Sequence, residues 1–394
     1  MLFELLISVI LGIFFGTFTG LAPGIHINLI GTILIGLSAT ALAGVNPLFP
    51  AVFIASMAIT HIFVDFIPSI FLGCPDSDTQ LSVLPGHEML REGRGYEAVM
   101  LAAYGALLGS ITLILIAFPS ALLISKIYGY LHYVMAWILI GTSAVLIFTE
   151  KNKIASLGMF LLSGILGICA LNMNLKDPLL PLLSGLFGSS MLIMSIKTKI
   201  SLPEQEITKF KVKKLRPLLG AIIASPLCGF LPGLGGGQAA ILGNSISKTD
   251  RKGFLVLVGA TNVLVMGLSF VSVYILSKDR TGAAAAVHKI VGNLSWKVLL
   301  MLLLAILITG WASFFLTKFL AKILSQKINK INYVRLSLGT LAVLSLVVFI
   351  FSGFLGFIVL IISTITGIYC NSFNVRKTNM MGCLIIPTII LYFL

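Results

Sequence analysis

Apolar runs separated by short polar breaks occupy nearly the whole chain. They lie near 2–21, 25–43, 49–72, 96–120, 130–149, 154–172, 178–196, 217–231, 234–247, 254–277, 294–322, 335–351, 353–370 and 379–394. Each is rich in Leu and Ile and is bounded by charge or by Pro and Gly, so each reads as a helix. The runs 25–43, 217–231 and 234–247 are short or glycine-rich and read as broken or re-entrant helices. The pattern predicts an all-α integral membrane protein, a polytopic bundle of roughly ten to fourteen membrane segments.

Composition strengthens this reading. Hydrophobic residues make up 58% of the 394 and charged residues 10%, against about 25% charged in a soluble domain. So few charges cannot cover that much apolar surface in water, which excludes a cytosolic enzyme, a secreted domain and a disordered chain. The first 20 residues read as a span rather than a cleavable leader, because Glu4 stands where a leader carries positive charge.

The net charge of +14 belongs to loops facing the cytoplasm and anionic headgroups, not to nucleic-acid binding. The stretch 197–216 carries seven Lys or Arg against Glu204 and Glu206, which marks it as a cytoplasmic loop. Counting spans from it places Arg91, Arg94, Lys151, Lys153, Lys248, Arg251, Lys252, the Lys318-to-Arg335 group, Arg376 and Lys377 inside. Lys126, Lys176, Lys278, Arg280, Lys289 and Lys297 fall outside, together with both termini. The chain divides into a first transmembrane half (1–196), the basic cytoplasmic loop (197–216) and a second half (217–394). A multi-pass protein of the cell membrane follows, with the lipid bilayer as its first partner.

An internal echo runs through the two halves. Gly20-Leu21-Ala22-Pro23-Gly24 recurs as Gly229-Phe230-Leu231-Pro232-Gly233, and each copy is followed by a helix, a span and a polar segment. Those segments are Gly73-Cys74-Pro75-Asp76-Ser77-Asp78-Thr79 and Ser277-Lys278-Asp279-Arg280-Thr281-Gly282. One copy starts outside and the other inside, so the two repeats are inverted, as in secondary transporters. Pro lacks an N–H and Gly tolerates unusual backbone angles, so a Pro-Gly pair unwinds an apolar helix. The freed N–H groups and the positive end of the next helix make an anion site. The bland alternative is that Pro and Gly merely kink the spans.

Candidate chemistry clusters at these breaks. Gly233, Gly235, Gly236 and Gly237 form a backbone cradle with Gln238 as a side-chain donor, and no strand or Lys-Ser/Thr makes it a nucleotide loop. The partner break places His26 and Asn28 just after Pro23 and Gly24, although His26 also reads as a packed helix residue. Arg280 and Thr281 add charge and a hydroxyl in the second copy. Asp65 lies inside an apolar run, four residues after His61, and an intramembrane carboxylate is a functional candidate by default. It is assigned to H+ or Na+ coupling with Asp76, Asp78 and Thr79. The competing readings are a structural pairing of Asp65 with His61 or a Lys, and solvated loop positions for Asp76 and Asp78. Leu84 to Arg94 reads as a packed cytoplasmic hairpin. The five cysteines stand singly, enzyme signatures are absent, and no cofactor is expected beyond a coupling ion. A membrane enzyme acting on lipid phosphates is the outlying alternative.

The paired Gly-x-x-Pro-Gly breaks, the segment Gly73 to Thr79 with Gly86-His87-Glu88-Met89 and Gly93, and Lys278-Asp279-Arg280-Thr281-Gly282-Ala283-Ala284 carry a family resemblance. The chain resembles the large membrane subunit of tripartite tricarboxylate transporters, the TctA family, and most closely its stand-alone archaeal branch. The resemblance covers roughly 12–110 and 219–292. It implies ion-coupled uptake of a small organic anion of the citrate type, with a solute-binding protein and a small membrane subunit as partners. Where the family usually has Asp-Gly-Tyr-Pro-Met, this chain has Pro85-Gly86-His87-Glu88-Met89, which puts the substrate in question. A weaker likeness to polyprenyl-phosphate transporters gives the alternative, a lipid-phosphate flippase.

Overall fold

A computed structural model describes residues 2–22, 44–73, 79–175, 178–198, 203–207, 215–230, 234–328, 333–373, 375 and 377–393. Among them there is no strand, and seven helices are long and apolar enough to cross a membrane. The first half holds α1 (Leu2–Leu21), α2 (Leu48–Phe71), α3 (Gln80–Arg91), α4 (Gly95–Tyr130), α5 (Tyr133–Phe148), α6 (Lys153–Asn172) and α7 (179–198). The second holds α8 (Leu215–Phe230), α9 (Gly236–Ser247), α10 (Arg251–Leu276), α11 (Gly282–Val291) and α12 (Trp296–Lys327). It ends with α13 (333–352), α14 (354–372) and α15 (Gly382–Phe393).

The helical run Gly95–Phe148 spans 54 residues, about 80 Å if straight, far more than the ~30 Å hydrocarbon layer. Its start follows Glu92, which pairs with Arg251, while its end brings Leu146 and Thr149 to a cavity that Arg251 also lines. The run therefore doubles back and makes two passes, as the separate apolar runs 96–120 and 130–149 require. The next long run breaks at Gly353, whose φ of +68° suits glycine, at the boundary expected between 335–351 and 353–370. Inside α7, Ser184–Ser189 is a π-helical turn that the sequence does not announce. The expected hairpin at 84–94 is α3 turning at Gly93 (φ +79°) into α4.

α2 and α10 form the centre, with nearly every side chain buried. α1 lies on α2 and α8 lies on α10. The long helices that follow α3 and α11 pack across the halves: α4 of the first lies on α10, and α12 of the second lies on α2. Glycine permits the closest crossing. A Cβ on Gly105 would strike the Val256 carbonyl, and one on Gly259 would strike that of Ala102. Ser313 of α12 donates to Thr60 of α2 at 3.0 Å across the other crossing. The short helices follow the same plan, α11 touching α2 and α3 touching α10. On the periphery, large apolar side chains such as Phe14, Phe18, Ile350 and Phe354 are exposed, the surface lipid covers.

The loops assigned to one side by charge meet at one end. Arg251 reaches Glu92 at 2.7 Å, Lys252 and Arg94 both reach Glu97 at 2.7 Å, and Gln205 accepts from the Gly95 N–H at 2.8 Å. Arg251 and Lys377 share a cavity with Thr149. Lys278 and Arg280, assigned to the other side, converge on Tyr128, two residues from Lys126.

Candidate functional site

Asp65 is buried within α2 and belongs to an oxygen cluster. Thr79, at the N-terminal cap of α3, donates its hydroxyl to Asp65 Oδ2 at 2.5 Å, and Ser69, one helical turn beyond Asp65, donates to the same oxygen at 3.4 Å. The two hydroxyls are themselves 2.8 Å apart. Ser82 donates to the Thr79 carbonyl at 2.6 Å, which fixes the first turn of α3. His61, four residues before Asp65, has its Nδ1 3.1 Å from Thr19 Oγ1 of α1. Of the four residues assigned to ion coupling, Asp65 and Thr79 are brought together. Asp76 and Asp78 lie outside the described residues. Ser69 is the member that sequence reasoning missed; its spacing of four from Asp65 was the available signal.

The start of α9 lies deep in the protein. Gln238 turns its Oε1 back to accept the Gly235 N–H at 2.9 Å, closing the first turn, while its buried Nε2 has no partner among the described residues. Gly236 presses on Asn262, whose amide occupies the place a Cβ would take. Asn262 stands eleven residues into α10, about 17 Å along its axis, so α9 begins near mid-membrane. With 12 residues it is about 18 Å long and too short to span. The Cα of Gly236 is thus packed directly against Asn262. Gly237 is buried next to it. Pro23, Gly24, His26, Asn28, Pro232 and Gly233 lie outside the described residues.

Thr281 caps α11, accepting the Ala284 N–H at 3.2 Å, and its hydroxyl is 2.8 Å from that of Ser269 in α10. The pair Ser269–Thr281 reproduces Ser69–Thr79: in each half a serine of the buried helix meets the capping threonine of the next short helix. The carboxylate is not reproduced, because Val265 stands four residues before Ser269. Arg280 and Lys278 donate to the Tyr128 hydroxyl at 2.8 Å and 3.1 Å, and Lys278 Nζ lies 4.8 Å from the ring centre. Arg280 Nε is buried with no partner among the described residues. Tyr128 carried no sequence signal.

At the charged end, α3, α5, α7, α9 and α10 surround a cavity of about 690 Å³. Its wall is mostly apolar, with Glu88, Asp250, Arg251 and Lys377 among its lining residues. Lys377 is buried, which its place among ordinary loop cations did not suggest. On the other wall of α3, His87 is buried, and burial with help from Arg91 and Lys377 pushes its imidazole down to about 4.

Residues 6–382 match the model of the tripartite tricarboxylate transporter TctA family. A protein of Methanocaldococcus jannaschii described as uncharacterised is 35% identical over 403 residues, covering 99% of each chain. No solved structure matches. A helical bundle with seven candidate spans, helices that begin inside it and a match across nearly the full length agree on one assignment: the chain belongs to the tripartite tricarboxylate transporter TctA family, as a multi-pass membrane component of transport.

Proposed function

We propose that the protein is a secondary transporter that moves a small organic anion of the tricarboxylate class across the cell membrane, driven by H+ or Na+. The observation that carries this reading is the buried Asp65 carboxylate held by the hydroxyls of Thr79 and Ser69. A carboxylate inside a span is costly to keep charged, and a proton or a hard cation among these oxygens offsets that cost. Three helices, α3, α9 and α11, begin inside the protein, each next to one of the two buried central helices. Their N-terminal dipoles favour negative charge there without a permanent cation. The anion is assigned to the start of α9 at Gly235 to Gly237, where the Gln238 side chain already takes the Gly235 N–H and its Nε2 faces the site, together with Thr281. Pro23, Gly24, His26 and Asn28 of the first break and Pro232 and Gly233 of the second complete that site as an inverted pair. Arg280 attracts anions toward it.

Family membership supports a solute-binding protein and a small membrane subunit as partners. The deciding experiment is uptake of labelled citrate into proteoliposomes under an imposed pH or sodium gradient, with a prenyl phosphate in parallel. Gradient-driven citrate accumulation that Asp65→Asn uncouples is the expected result. Movement of the prenyl phosphate alone would overturn the reading.

A further inference from the structure

We propose that the cavity at the charged end is a second anion-binding site, centred on Lys377 and suited to an organic anion that joins a carboxylate head to an apolar body. It stands apart from the transport reading, since it uses none of the residues assigned above. The Lys377 ammonium donates to Ser190 Oγ at 3.2 Å, and no carboxylate among the described residues lies within ion-pair distance of it. Its neighbours in the cavity are already committed. Arg251 holds both oxygens of Glu92 at 2.7 Å and reaches Glu88 at 3.5 Å, while Asp250 accepts the Gly253 N–H at 2.9 Å. Among the described residues Lys377 is therefore a buried cation with a hydroxyl partner and no carboxylate at ion-pair distance, although Glu88 and Asp250 line the same cavity. A buried ion in that condition is costly, and a bound anion removes the cost.

Burial alone pushes its ammonium down to about 7, which an anion beside it would reverse. Ser190, which receives Lys377, directly follows the π-helical turn Ser184–Ser189, and Phe187 and Met191 from that region line the cavity. Such turns recur at functional sites because they reposition side chains.

Size and wall chemistry define the ligand. About 690 Å³ lies well within the range of organic-ligand pockets, roughly 300 to 1,000 Å³. Val145, Leu146, Phe187, Ile241 and Phe254 present apolar surface, which a compact polyanion leaves unused and an aromatic or aliphatic body covers.

The test uses purified full-length protein in uncharged-lipid nanodiscs with no ion gradient, and 2-naphthoate as the probe in equilibrium dialysis. Saturable one-to-one binding is expected, weakened at least about tenfold by Lys377→Met and largely retained by Lys377→Arg. Lys377→Met replaces a buried charge by an apolar side chain of similar length, an exchange that folds often tolerate. If it does not fold, Leu146→Trp, which fills the cavity and leaves the cation in place, decides by abolishing binding. Absence of saturable binding, undiminished binding to Lys377→Met or to Leu146→Trp, or equal binding of the matching naphthylmethyl-ammonium cation overturns the proposal.

Discussion

Thr79 donates its hydroxyl to Asp65 across 2.5 Å, and that bond joins the first turn of α3 to the interior of α2. The residue at the N-terminal boundary of one short helix is thereby tied to a carboxylate buried in another. In the proposed coupling role, an ion or proton taken up at Asp65 acts on the bond that ties α3 to α2.

Separating the two roles is straightforward. Asp65→Asn keeps the shape and removes the titration, so uptake loses its dependence on the pH or sodium gradient while equilibrium anion binding persists. Thr79→Val removes the hydroxyl that serves Asp65 and Ser69 and lowers thermal stability by about 1–3 kcal/mol. Gradient-dependent uptake by Asp65→Asn at the native rate would exclude Asp65 as the coupling group.

Gly236→Ala places a methyl where the Asn262 amide sits, and overpacking of this kind costs about 1–3 kcal/mol. Adding Asn262→Ala opens that space, so the double variant recovers part of the loss in a thermodynamic cycle. Strict additivity of the two substitutions in a thermal melt would show that they do not meet.

Acid weakens the fold through His87. Its imidazole stands at about 4 in the folded protein against 6.5 unfolded, chiefly because burial disfavours the cation. The neutral ring is stabilising in full above pH 6.5, and that stability falls as pH drops from 6.5 towards 4, by about 3 kcal/mol. His87→Gln flattens this portion of the melting-temperature profile; an unchanged slope between pH 6.5 and 4 in the variant rules out His87 as its source.

Gly259→Leu drives a side chain into the Ala102 carbonyl of α4 and forces α4 and α10 apart. A loss above about 3 kcal/mol, or failure to fold, is expected. Retention of the native melting temperature would mean that this crossing is looser than its geometry requires.

Much of this was legible in the sequence because it depends on local pattern. Apolar runs gave the spans, Lys and Arg counts grouped the loops that meet at the charged end, and a carboxylate in a span singled out Asp65. Thr79 was assigned to the coupling group, and the structure puts its hydroxyl on that carboxylate. What stayed hidden depends on residues far apart in the chain. Lys377 looks like one more loop cation until Ser190, 187 residues away, takes its ammonium. The hydroxyl pair Ser269–Thr281 shares its pattern with Ser69–Thr79, yet serine and threonine are too common in membrane helices to mark it. The packing of α4 and α12 across the halves leaves no local trace, since helices choose partners by surface shape. Of the two Pro-Gly breaks, Gly235, Gly236, Gly237 and Gln238 are described, while Pro23, Gly24, His26, Asn28, Pro232 and Gly233 fall outside the described residues.

The packing of α12 on α2 bears on how the protein is made. Helix α2 carries His61 and Asp65 in a setting completed by α12, which leaves the ribosome more than 200 residues later. At about 5–20 residues per second, α2 waits ten seconds or longer before its last neighbour arrives. During that interval its polar face must be shielded by lipid headgroups, by water in the insertion machinery or by α1, whose Thr19 already reaches His61. Synthesis of the first half alone would leave the interval open, and the quality-control proteases of the membrane would meet an Asp65 helix that never closes.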